Sequence, residues 1–351
     1  MKTRTAKIFL DDCGSFLGRG EGCLIVRDRK GKVEKYPLFE NEIGEVHVRI
    51  GNSVSSAALA TCAFWNIDLL ILTQRGNPVA YLRSLDDDSH VKTRIAQYEA
   101  LKNNKGVAIA KRIVLGKIEG QNRILRKYGF RQHDFMRIKE MVNGVKSDDL
   151  RVLRNKLNTI EGHATERYFS QVFQLLPTAI GIERRRTYKA FDGINNTLNL
   201  AYTLLKWKTH RAIIKAKLEP FLGFLHSEQF GKPSLVCDLM ELYRYLIDDF
   251  VIEYCMSLKK KDFALKHEDY SSNRKGERQY LSKPLAKDMM NKLNSFFESM
   301  VEIPRVKHGN KQTLETLINE EAMLFARYLR DEKPNWHPRI VDLSCVSVGQ
   351  A

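Results

Sequence analysis

Two acidic residues one helical turn apart, Asp238 and Glu241, follow a lone histidine, His226, in the segment GFLHSEQFGKPSLVCDLMELYR. Two neighbouring carboxylates repel each other, and a partly buried pair has to be neutralised. A divalent cation can do this: carboxylate oxygens suit Mg²⁺ or Mn²⁺, and a nearby imidazole favours Mn²⁺ or another transition ion. The alternative is a solvated helix face beside an unrelated histidine, and this segment alone leaves both interpretations open.

These carboxylates lie on a predicted helix at 233–258 that starts at Pro233, because proline at the first helical position loses no needed N–H. Apolar residues cover most of this helix, which predicts that it is buried. Its polar positions are three or four residues apart, so they are expected to line one narrow stripe that faces a cleft or a partner. They are Asp238, Glu241, Tyr245 and Asp248.

A third acidic residue, Glu161, lies beside the apolar stripe of another predicted helix, at 148–175, for which Ser147 is the expected N-cap. Catalytic metal sites usually collect ligands from several elements, so Glu161 is a candidate third ligand. Gly162 follows it, and because glycine costs a helix interior about 1 kcal/mol relative to alanine, a close approach to the backbone is expected there. The alternative is a surface glutamate beside a core stripe.

The elements that would position these residues divide the chain into two parts. Residues 1–85 are expected to form a β-rich domain, with hairpin signals at Lys30-Gly31 and Arg75-Gly76-Asn77 and one helix at 53–65. Residues 86–105 are expected to be a linker and first helix, and 106–351 an α-helical domain. The predicted helices lie near 89–103, 106–128, 133–143, 148–175, 195–218, 233–258, 284–301 and 312–331.

The charge of the chain divides at the same place. The net charge is +16, residues 1–88 contain 12 basic and 12 acidic residues, and the remainder contains 46 and 30. An excess of this size favours a polyanionic partner, either nucleic acid or an acidic membrane surface. The runs at Arg184–Arg186 and Lys259–Lys261 are candidate phosphate contacts, although such runs are usually solvated helix faces.

Several classes of protein are disfavoured by other features of the sequence. The six cysteines form no C-x-x-C pair, which argues against a zinc ribbon. The most apolar segment, 57–72, is interrupted by Asn66 and Asp68 and is too short to span a bilayer. The start of the chain has no signal-peptide pattern. We therefore expect a cytoplasmic protein with free thiols and no membrane association.

Three motifs occur in order along the chain: TIEGHATERYF, DGINNTLNLAYTLL and LEPFLGFLHSEQFGKPSLVCDLMELYR. Together they resemble the CRISPR-associated adaptation integrases, a family of endonucleases. The resemblance covers most of the chain. It implies an α+β fold in which a β-rich, β-sandwich-like N-terminal domain serves dimerisation and is followed by a larger all-α catalytic domain that binds the metal.

The resemblance also implies the site. The catalytic residues and ligands of one divalent ion, Mg²⁺ or Mn²⁺, would be Glu161, His226 and Glu241, with Asp238 as a less certain additional ligand. Further positions match residues near the site in the family and are expected to bind nucleic acid or to support the site. They are Tyr168, Lys232 and Asn195.

One position departs from the family pattern. Asp192 and Asn195 match a D-P-x-N element in which Gly193 replaces the usual proline. The resemblance therefore does not define the local turn at this point.

The function that the resemblance implies is insertion of short foreign DNA fragments, called spacers, into a CRISPR array, by attack of a 3′-hydroxyl on a phosphodiester at the repeat border. With water as the nucleophile the same site would cleave DNA, including branched DNA. The expected working form is a homodimer assembled with a small second CRISPR-associated protein. Two alternatives are a general metal-dependent nuclease or branched-DNA resolvase in repair, and a non-catalytic nucleic-acid-binding adaptor.

Overall fold

The computed structural model describes residues 6–38, 43–65, 67–74, 76, 78–82, 91–147, 149–187, 190–271, 274–302 and 311–342. The chain forms two compact units, Met1–Ser89 and His90–Ala351. Their division falls within the segment 86–105 that the sequence predicts as a linker and first helix. Arg75 and Asn77 of the second hairpin signal lie outside the described residues, as does the predicted helix start at residue 89.

The first unit contains two four-stranded sheets and one helix. One sheet has the order β1-β5-β7-β8, with parallel pairs except for antiparallel β7-β8, and the other has the order β4-β3-β2-β6. The element bounds are β1 Ala6–Leu10, β2 Phe16–Gly20, β3 Cys23–Arg27, β4 Val33–Pro37, β5 Ile43–Arg49, β6 Ser53–Val54, α1 Ser56–Phe64, β7 Asp68–Leu72 and β8 Pro78–Leu82.

The two sheets share one apolar core. Val46 and Val48 alternate with more polar positions along β5, so one face of the strand points inward. Leu17 and Leu24 of the other sheet belong to the same buried cluster. The predicted β-sandwich-like arrangement at the start of the chain is therefore confirmed.

The second unit is mainly helical, which confirms the predicted α+β order. Its bounds are α2 Val91–Ala100, α3 Asn104–Lys127, α4 Phe135–Gly144, α5 Leu150–Val172, α6 Gly193–Lys215, α7 Ser234–Met240, α8 Arg244–Cys255, β9 Phe263–Ser271, β10 Arg274–Leu281, α9 Lys283–Phe297, β11 Met300–Glu302, β12 Lys311–Thr313 and α10 Leu314–Leu329.

The prediction of one continuous helix at 233–258 is wrong. Helix α7 ends at Met240, and backbone bonds from Leu242 N to Leu239 O and from Tyr243 N to Met240 O are of the tighter i→i+3 type. This turn rotates the chain before α8 begins. As a result Tyr245 leaves the predicted polar stripe and donates its hydroxyl to the Val341 carbonyl at 2.8 Å.

Two further local predictions need correction. Helix α5 is capped by Asp149, whose carboxylate accepts from Arg151 N at 2.7 Å, while the Ser147 hydroxyl accepts from Asp149 N. The strands β9 and β10 form an antiparallel hairpin inside the helical unit. Periodicity does not reveal this hairpin, because Ala264, Leu265, Lys266 and His267 are all exposed and show no alternation of apolar and polar positions.

No helix among the described residues is long and apolar enough to cross a membrane.

Two glycines in the helical unit are expected to respond to substitution in opposite directions. A Cβ at Gly193 would lie 2.1 Å from a Phe263 ring carbon, so Gly193→Ala is expected to lower the free energy of unfolding by about 1–3 kcal/mol. A Cβ at Gly162 meets nothing within 4 Å, so the predicted close approach there is wrong. Gly162→Ala is expected to raise the free energy by about 0.5–1 kcal/mol. Urea denaturation of both variants checks this, and equal effects would contradict it.

Candidate active site

His226 lies in the loop between α6 and α7, and the buried Asp238 carboxylate organises this loop. Asp238 accepts hydrogen bonds from three consecutive backbone N–H groups, those of Phe224 at 2.5 Å, Leu225 at 3.0 Å and His226 at 2.9 Å. Its side chain is 0% exposed. A carboxylate that accepts several N–H bonds is well compensated inside a protein, so Asp238 fixes the backbone that carries the histidine.

A buried arginine holds the same loop from its carbonyl side. Arg154 on α5 donates Nε to the Phe224 carbonyl at 2.9 Å and Nη2 to the Gly223 carbonyl at 2.6 Å. Glycine is needed at 223, because a Cβ there would lie 2.8 Å from Ser234. The loop is therefore held between a carboxylate and a guanidinium, both of which are buried.

The same carboxylate orients the imidazole. His226 Nδ1 lies 2.7 Å from Asp238 Oδ1. Because a carboxylate only accepts hydrogen bonds, Nδ1 is the ring nitrogen that donates to Asp238, which leaves Nε2 as the ring nitrogen that can bind a cation. Nε2 lies 4.0 Å from Oε1 of Glu241, the residue that follows α7. The available nitrogen of the ring is thus turned toward the second carboxylate.

Glu161 and Glu241 come together from different helices and share one cation. Lys117 on α3 contacts Glu161 Oε1 and lies 2.8 Å from Glu241 Oε2. Arg244, at the start of α8, contacts Glu241 Oε1 at 3.1 Å. Glu241 is 4% exposed, and its Oε2 has no well-aligned hydrogen-bond donor.

The positive charges around Glu241 control its ionisation. Burial alone would raise the pKa of this carboxyl, but Arg244 and Lys117, and to a smaller extent His226, outweigh burial and lower the pKa to about 2. Glu241 is therefore ionised at neutral pH and is available as a ligand for a cation.

Glu161 is held by a chain of hydrogen bonds along its own helix and α3. The Thr165 hydroxyl, one turn further along α5, donates to Glu161 Oε1 at 2.7 Å. Gln121 Nε2 donates to that hydroxyl at 3.0 Å. Gln121 is 3% exposed, so the far end of this chain of bonds is buried, and the chain holds the carboxylate in its observed orientation.

A cavity of about 160 Å³ adjoins this pair of acids. Its lining includes Lys117, Arg244, Arg185 and the buried Asp248. The Asp248 carboxylate accepts hydrogen bonds from the hydroxyls of Tyr168, at 3.1 Å, and of Tyr202. Burial raises the pKa of Asp248 to about 6, and the two hydroxyls and Arg185 only partly oppose this rise.

This raised pKa predicts a pH dependence of stability. Because the folded state holds the proton of Asp248 more tightly than the unfolded chain, the contribution of this group is complete below about pH 4 and is lost as pH rises to about 6. The loss is on the order of 3 kcal/mol. We expect the unfolding free energy of Asp248→Asn relative to wild type to increase over this interval. A difference that is constant from pH 4 to 7 would contradict the prediction.

Four of the residues predicted from sequence are brought together, namely Glu161, His226, Glu241 and Asp238. Among the described residues, no three His, Cys, Asp or Glu side chains stand close enough as arranged to enclose an ion. Lys117 lies between the two glutamates, where it occupies the space between their oxygens. Asp238 directs its oxygens to the backbone and to His226, which gives it a positioning role.

The three supporting residues are placed differently. Tyr168 and Asn195 are both 0% exposed in this structure, and their assignment to nucleic-acid binding or to support of the site stays a prediction. Asn195 accepts from Arg185 Nη1 and Arg186 N, each at 2.8 Å, and thereby fixes the first arginine run to the start of α6. Lys232 is partly exposed at the turn before α7.

The local turn at Gly193 is ordinary despite the missing proline. Helix α6 begins at Gly193, and Asp192 is its N-cap, accepting from Asn195 N at 2.7 Å. The glycine is required because the Phe263 ring packs against it.

Sequence reasoning missed the residues that surround the acids. Lys117 and Gln121 lie four residues apart in GKIEGQ, on the predicted helix 106–128, so they share one face with its buried positions. Lysine and glutamine on such a face are a signal that a polar group is buried nearby. Thr165 and Arg244 carry no comparable signal, because either residue type commonly faces solvent.

The donor set fits a divalent ion. Two glutamate carboxylates and one imidazole lie around the position of the Lys117 ammonium group, and the buried Glu241 Oε2 has a lone pair without a well-aligned donor. Oxygen-rich sets with one nitrogen suit Mn²⁺ and are acceptable to Mg²⁺. The chain is thus a protein with a strand-rich first unit and a helical second unit. The helical unit carries the carboxylate–histidine site, which is built from α3, α5, α7 and the loop before α7.

Comparison with known proteins assigns the chain. The model of the family described as CRISPR associated protein Cas1 matches residues 8–285. A CRISPR-associated endonuclease Cas1 of Pyrobaculum aerophilum is 30% identical over 256 residues, covering 70% of this chain and 81% of its own length. One of Thermus thermophilus is 28% identical over 333 residues, covering 92% and 94%. The chain therefore belongs to the Cas1 family.

Solved structures share the fold. A casposase bound to its integration product superposes with a TM-score of 0.74 at 20% identity, covering 98% of this chain and 95% of that one. A Cas6-RT-Cas1–Cas2 complex superposes with a TM-score of 0.72 at 20% identity, covering 96% of this chain and 36% of the longer one. The order of a strand-rich unit and a helical unit is thus common to these proteins.

Proposed function

We propose that this chain is a metal-dependent DNA endonuclease and integrase that inserts short DNA fragments into a CRISPR array. The observation that carries the proposal is the convergence of Glu161, His226 and Glu241 in a chain of the Cas1 family. An ion bound to these three side chains would polarise the attacked phosphodiester and stabilise the leaving oxygen. The chain supplies no nucleophile of its own in this scheme, since the 3′-hydroxyl of the fragment, or water, attacks directly.

The residues of the chain act by positioning and by charge. Asp238 keeps the Nδ1 proton of His226 in place, so that Nε2 faces Glu241 and is available to bind the ion. Thr165 and Gln121 hold Glu161. Arg244 and Lys117 provide positive charge beside the site, which favours the approach of a phosphodiester.

The affinity for DNA is proposed to come from the helical unit. All of the net charge of +16 is contributed by residues after 88. The exposed run at Lys259–Lys261 belongs to this surface, whereas Arg185 of the other run points inward, bonded to Asn195 and Asn199. Because such binding releases counterions, the affinity should fall steeply with rising salt.

The first unit is proposed to join two copies of the chain. Its charge is balanced, and it exposes two adjacent aromatic side chains at the end of α1, with Phe64 79% and Trp65 42% exposed. Exposed aromatic residues are common in interfaces between proteins. A small second protein of the Cas2 kind is proposed to join two such dimers.

The dimer contact leads to a specific expectation. The double variant Phe64→Ser, Trp65→Ser should shift the chain from dimer to monomer in sedimentation, because it removes two adjacent exposed aromatic side chains from the proposed interface. The control is Phe221→Ser, which removes an aromatic side chain that is 48% exposed in the helical unit. A double variant that sediments as the wild-type dimer would show that the contact lies elsewhere.

Strand transfer tests the proposed function. A labelled duplex with free 3′-ends is incubated with a plasmid that carries a repeat array, with and without the Cas2-type partner and a chelator. The expected result is joined product at the repeat border that disappears with the chelator. Cleavage of branched DNA without joining would favour the repair nuclease, and metal-independent binding without product would favour the adaptor.

A further inference from the structure

The ammonium group of Lys117 lies where the two glutamates face each other. It contacts Glu161 Oε1 and is 2.8 Å from Glu241 Oε2, and its side chain is 12% exposed. A lysine side chain ordinarily carries a positive charge at neutral pH, and contact with two carboxylates favours that form. Lys117 therefore acts as a cation tethered to α3 between the acids.

This arrangement explains how the acids are tolerated in a folded chain without a metal ion. Glu241 is 4% exposed, and an isolated carboxylate at such a position is strongly destabilising. Lys117 and Arg244 together neutralise the Glu161–Glu241 pair. The chain can thus hold its site in shape before a metal ion arrives.

In the same arrangement, Lys117 and a divalent ion would compete for the same carboxylate oxygens. Glu161 Oε1 and Glu241 Oε2 are the atoms that face each other across the site, and both are in contact with the ammonium group. An ion bound to these oxygens would lie against the ammonium, and like charges at such short range repel strongly. Lys117 must move for the ion to bind both glutamates through these atoms.

The cavity beside the site offers a place for this movement. Lys117 lines the cavity of about 160 Å³, so its flexible side chain borders open space. Asp248 lines the same cavity, and its carboxylate bonds to the hydroxyls of Tyr168 and Tyr202. The cavity therefore contains a second carboxylate toward which a displaced ammonium group can turn.

We propose that Lys117 is a displaceable internal cation, which neutralises Glu161 and Glu241 in the metal-free protein and moves into the cavity toward Asp248 when a divalent ion binds. The proposal rests on the proposed function in one respect, namely that these glutamates bind the ion. It adds that the affinity for the ion is set by competition with a side chain of the protein itself. Lys117 thereby lowers the affinity for the ion and at the same time keeps the two glutamates in place when no ion is bound.

Metal affinity without DNA tests the competition. Lys117→Met removes the positive charge and keeps an unbranched side chain. Mn²⁺ should therefore bind to this variant at least about tenfold more tightly than to the wild type. The affinity is measured by calorimetry or from the electron spin resonance signal of free Mn²⁺. Without metal this variant should melt at a lower temperature, and Mn²⁺ should raise its melting temperature more than that of the wild type.

A matched control lies on the same helix. Lys127 also contacts two carboxylates, Asp249 at 2.7 Å and Glu253 at 2.6 Å, outside the site. Lys127→Met should leave the affinity of the tight Mn²⁺ site within about twofold of wild type. A folded Lys117→Met variant whose Mn²⁺ affinity is equal to or weaker than that of the wild type would overturn the proposal.

Mn²⁺ binding to Glu241→Gln tests the assignment of the metal ligands independently of Lys117. Loss of the tight Mn²⁺ site in Glu241→Gln supports the assignment of the glutamates, whatever Lys117→Met does. If Glu241→Gln binds Mn²⁺ as tightly as the wild type, the site assignment fails and the proposal fails with it. If only the gain in Lys117→Met is missing, the displacement is wrong and the proposed function stands.

A measurement on the wild-type chain covers the case in which Lys117→Met does not fold. Lysine side chains are isotopically labelled, and the signal absent from Lys117→Arg identifies Lys117. Addition of diamagnetic Mg²⁺ should shift this signal and leave that of Lys127 in place. An unchanged Lys117 signal at saturating Mg²⁺ would overturn the proposal.

Discussion

Replacing Glu161 with glutamine or His226 with alanine is expected to lower strand transfer and DNA cleavage by at least about a hundredfold, while DNA affinity stays within about twofold. Each change removes one of three groups proposed to hold a single ion, and a site that loses a ligand no longer positions the ion for the displacement. DNA affinity is expected to persist because it comes from basic residues distributed over the helical unit.

The matched controls for these variants lie on the same helix. Glu166 and His163 are exposed on α5, so Glu166→Gln and His163→Ala repeat the same chemical changes away from the site. Both are expected to retain wild-type activity. Activity near wild type in Glu161→Gln or His226→Ala, with the fold intact, would be incompatible with a shared ion site.

The second large effect is expected at Asp238. Asp238→Ala leaves three backbone N–H groups and the partly buried His226 ring without their acceptor, whose own position is fully buried. We expect the free energy of unfolding to fall by about 3 kcal/mol or more, because buried donors without a partner carry their full desolvation cost. Activity is expected to fall at least about tenfold, because the imidazole loses its orientation.

The measurement pairs urea denaturation with strand transfer under conditions where the variant is folded. Asp149→Ala is the control, since it removes a single exposed capping bond to Arg151 N, and should cost about 1 kcal/mol with full activity. An Asp238→Ala variant as stable as the Asp149→Ala variant would show that the loop does not depend on this carboxylate.

The candidate site could be predicted in part because its residues have recognisable types and spacing. Asp238 and Glu241 are one turn apart on a strongly apolar helix, and His226 precedes them closely in sequence. Periodicity also places Glu161 on a long helix. Only the resemblance to a family, however, assigns Glu161 to the same site as His226 and Glu241, because no local pattern links residues 65 or more positions apart.

The rest of the site depends on packing between distant elements. Lys117 reaches Glu241 from a helix more than a hundred residues earlier in the chain, and single-sequence patterns carry no information about such pairs. The turn at 241–243 was missed because its residues Glu241, Leu242 and Tyr243 are all compatible with a helix. The turn is formed by i→i+3 backbone hydrogen bonds, which are favoured here by tertiary packing and not by the local sequence.

The different contacts of Asp238 and Glu241 also could not be predicted from the sequence. Sequence presents two equivalent acids on one stripe, and the resemblance ranks one above the other. The structure distinguishes them physically: Asp238 is occupied by four donors, whereas Glu241 faces the imidazole and two cationic side chains. Only the second arrangement leaves oxygen atoms that can exchange one cation for another.

Anomalous diffraction from crystals grown with Mn²⁺ tests the shared ion site most directly. The proposed site predicts one strong manganese peak per chain within about 2.5 Å of Glu161, His226 Nε2 and Glu241, and no such peak in Glu161→Gln crystals. A peak at other residues, or a peak between these three side chains that persists unchanged in the Glu161→Gln variant, would contradict the shared site.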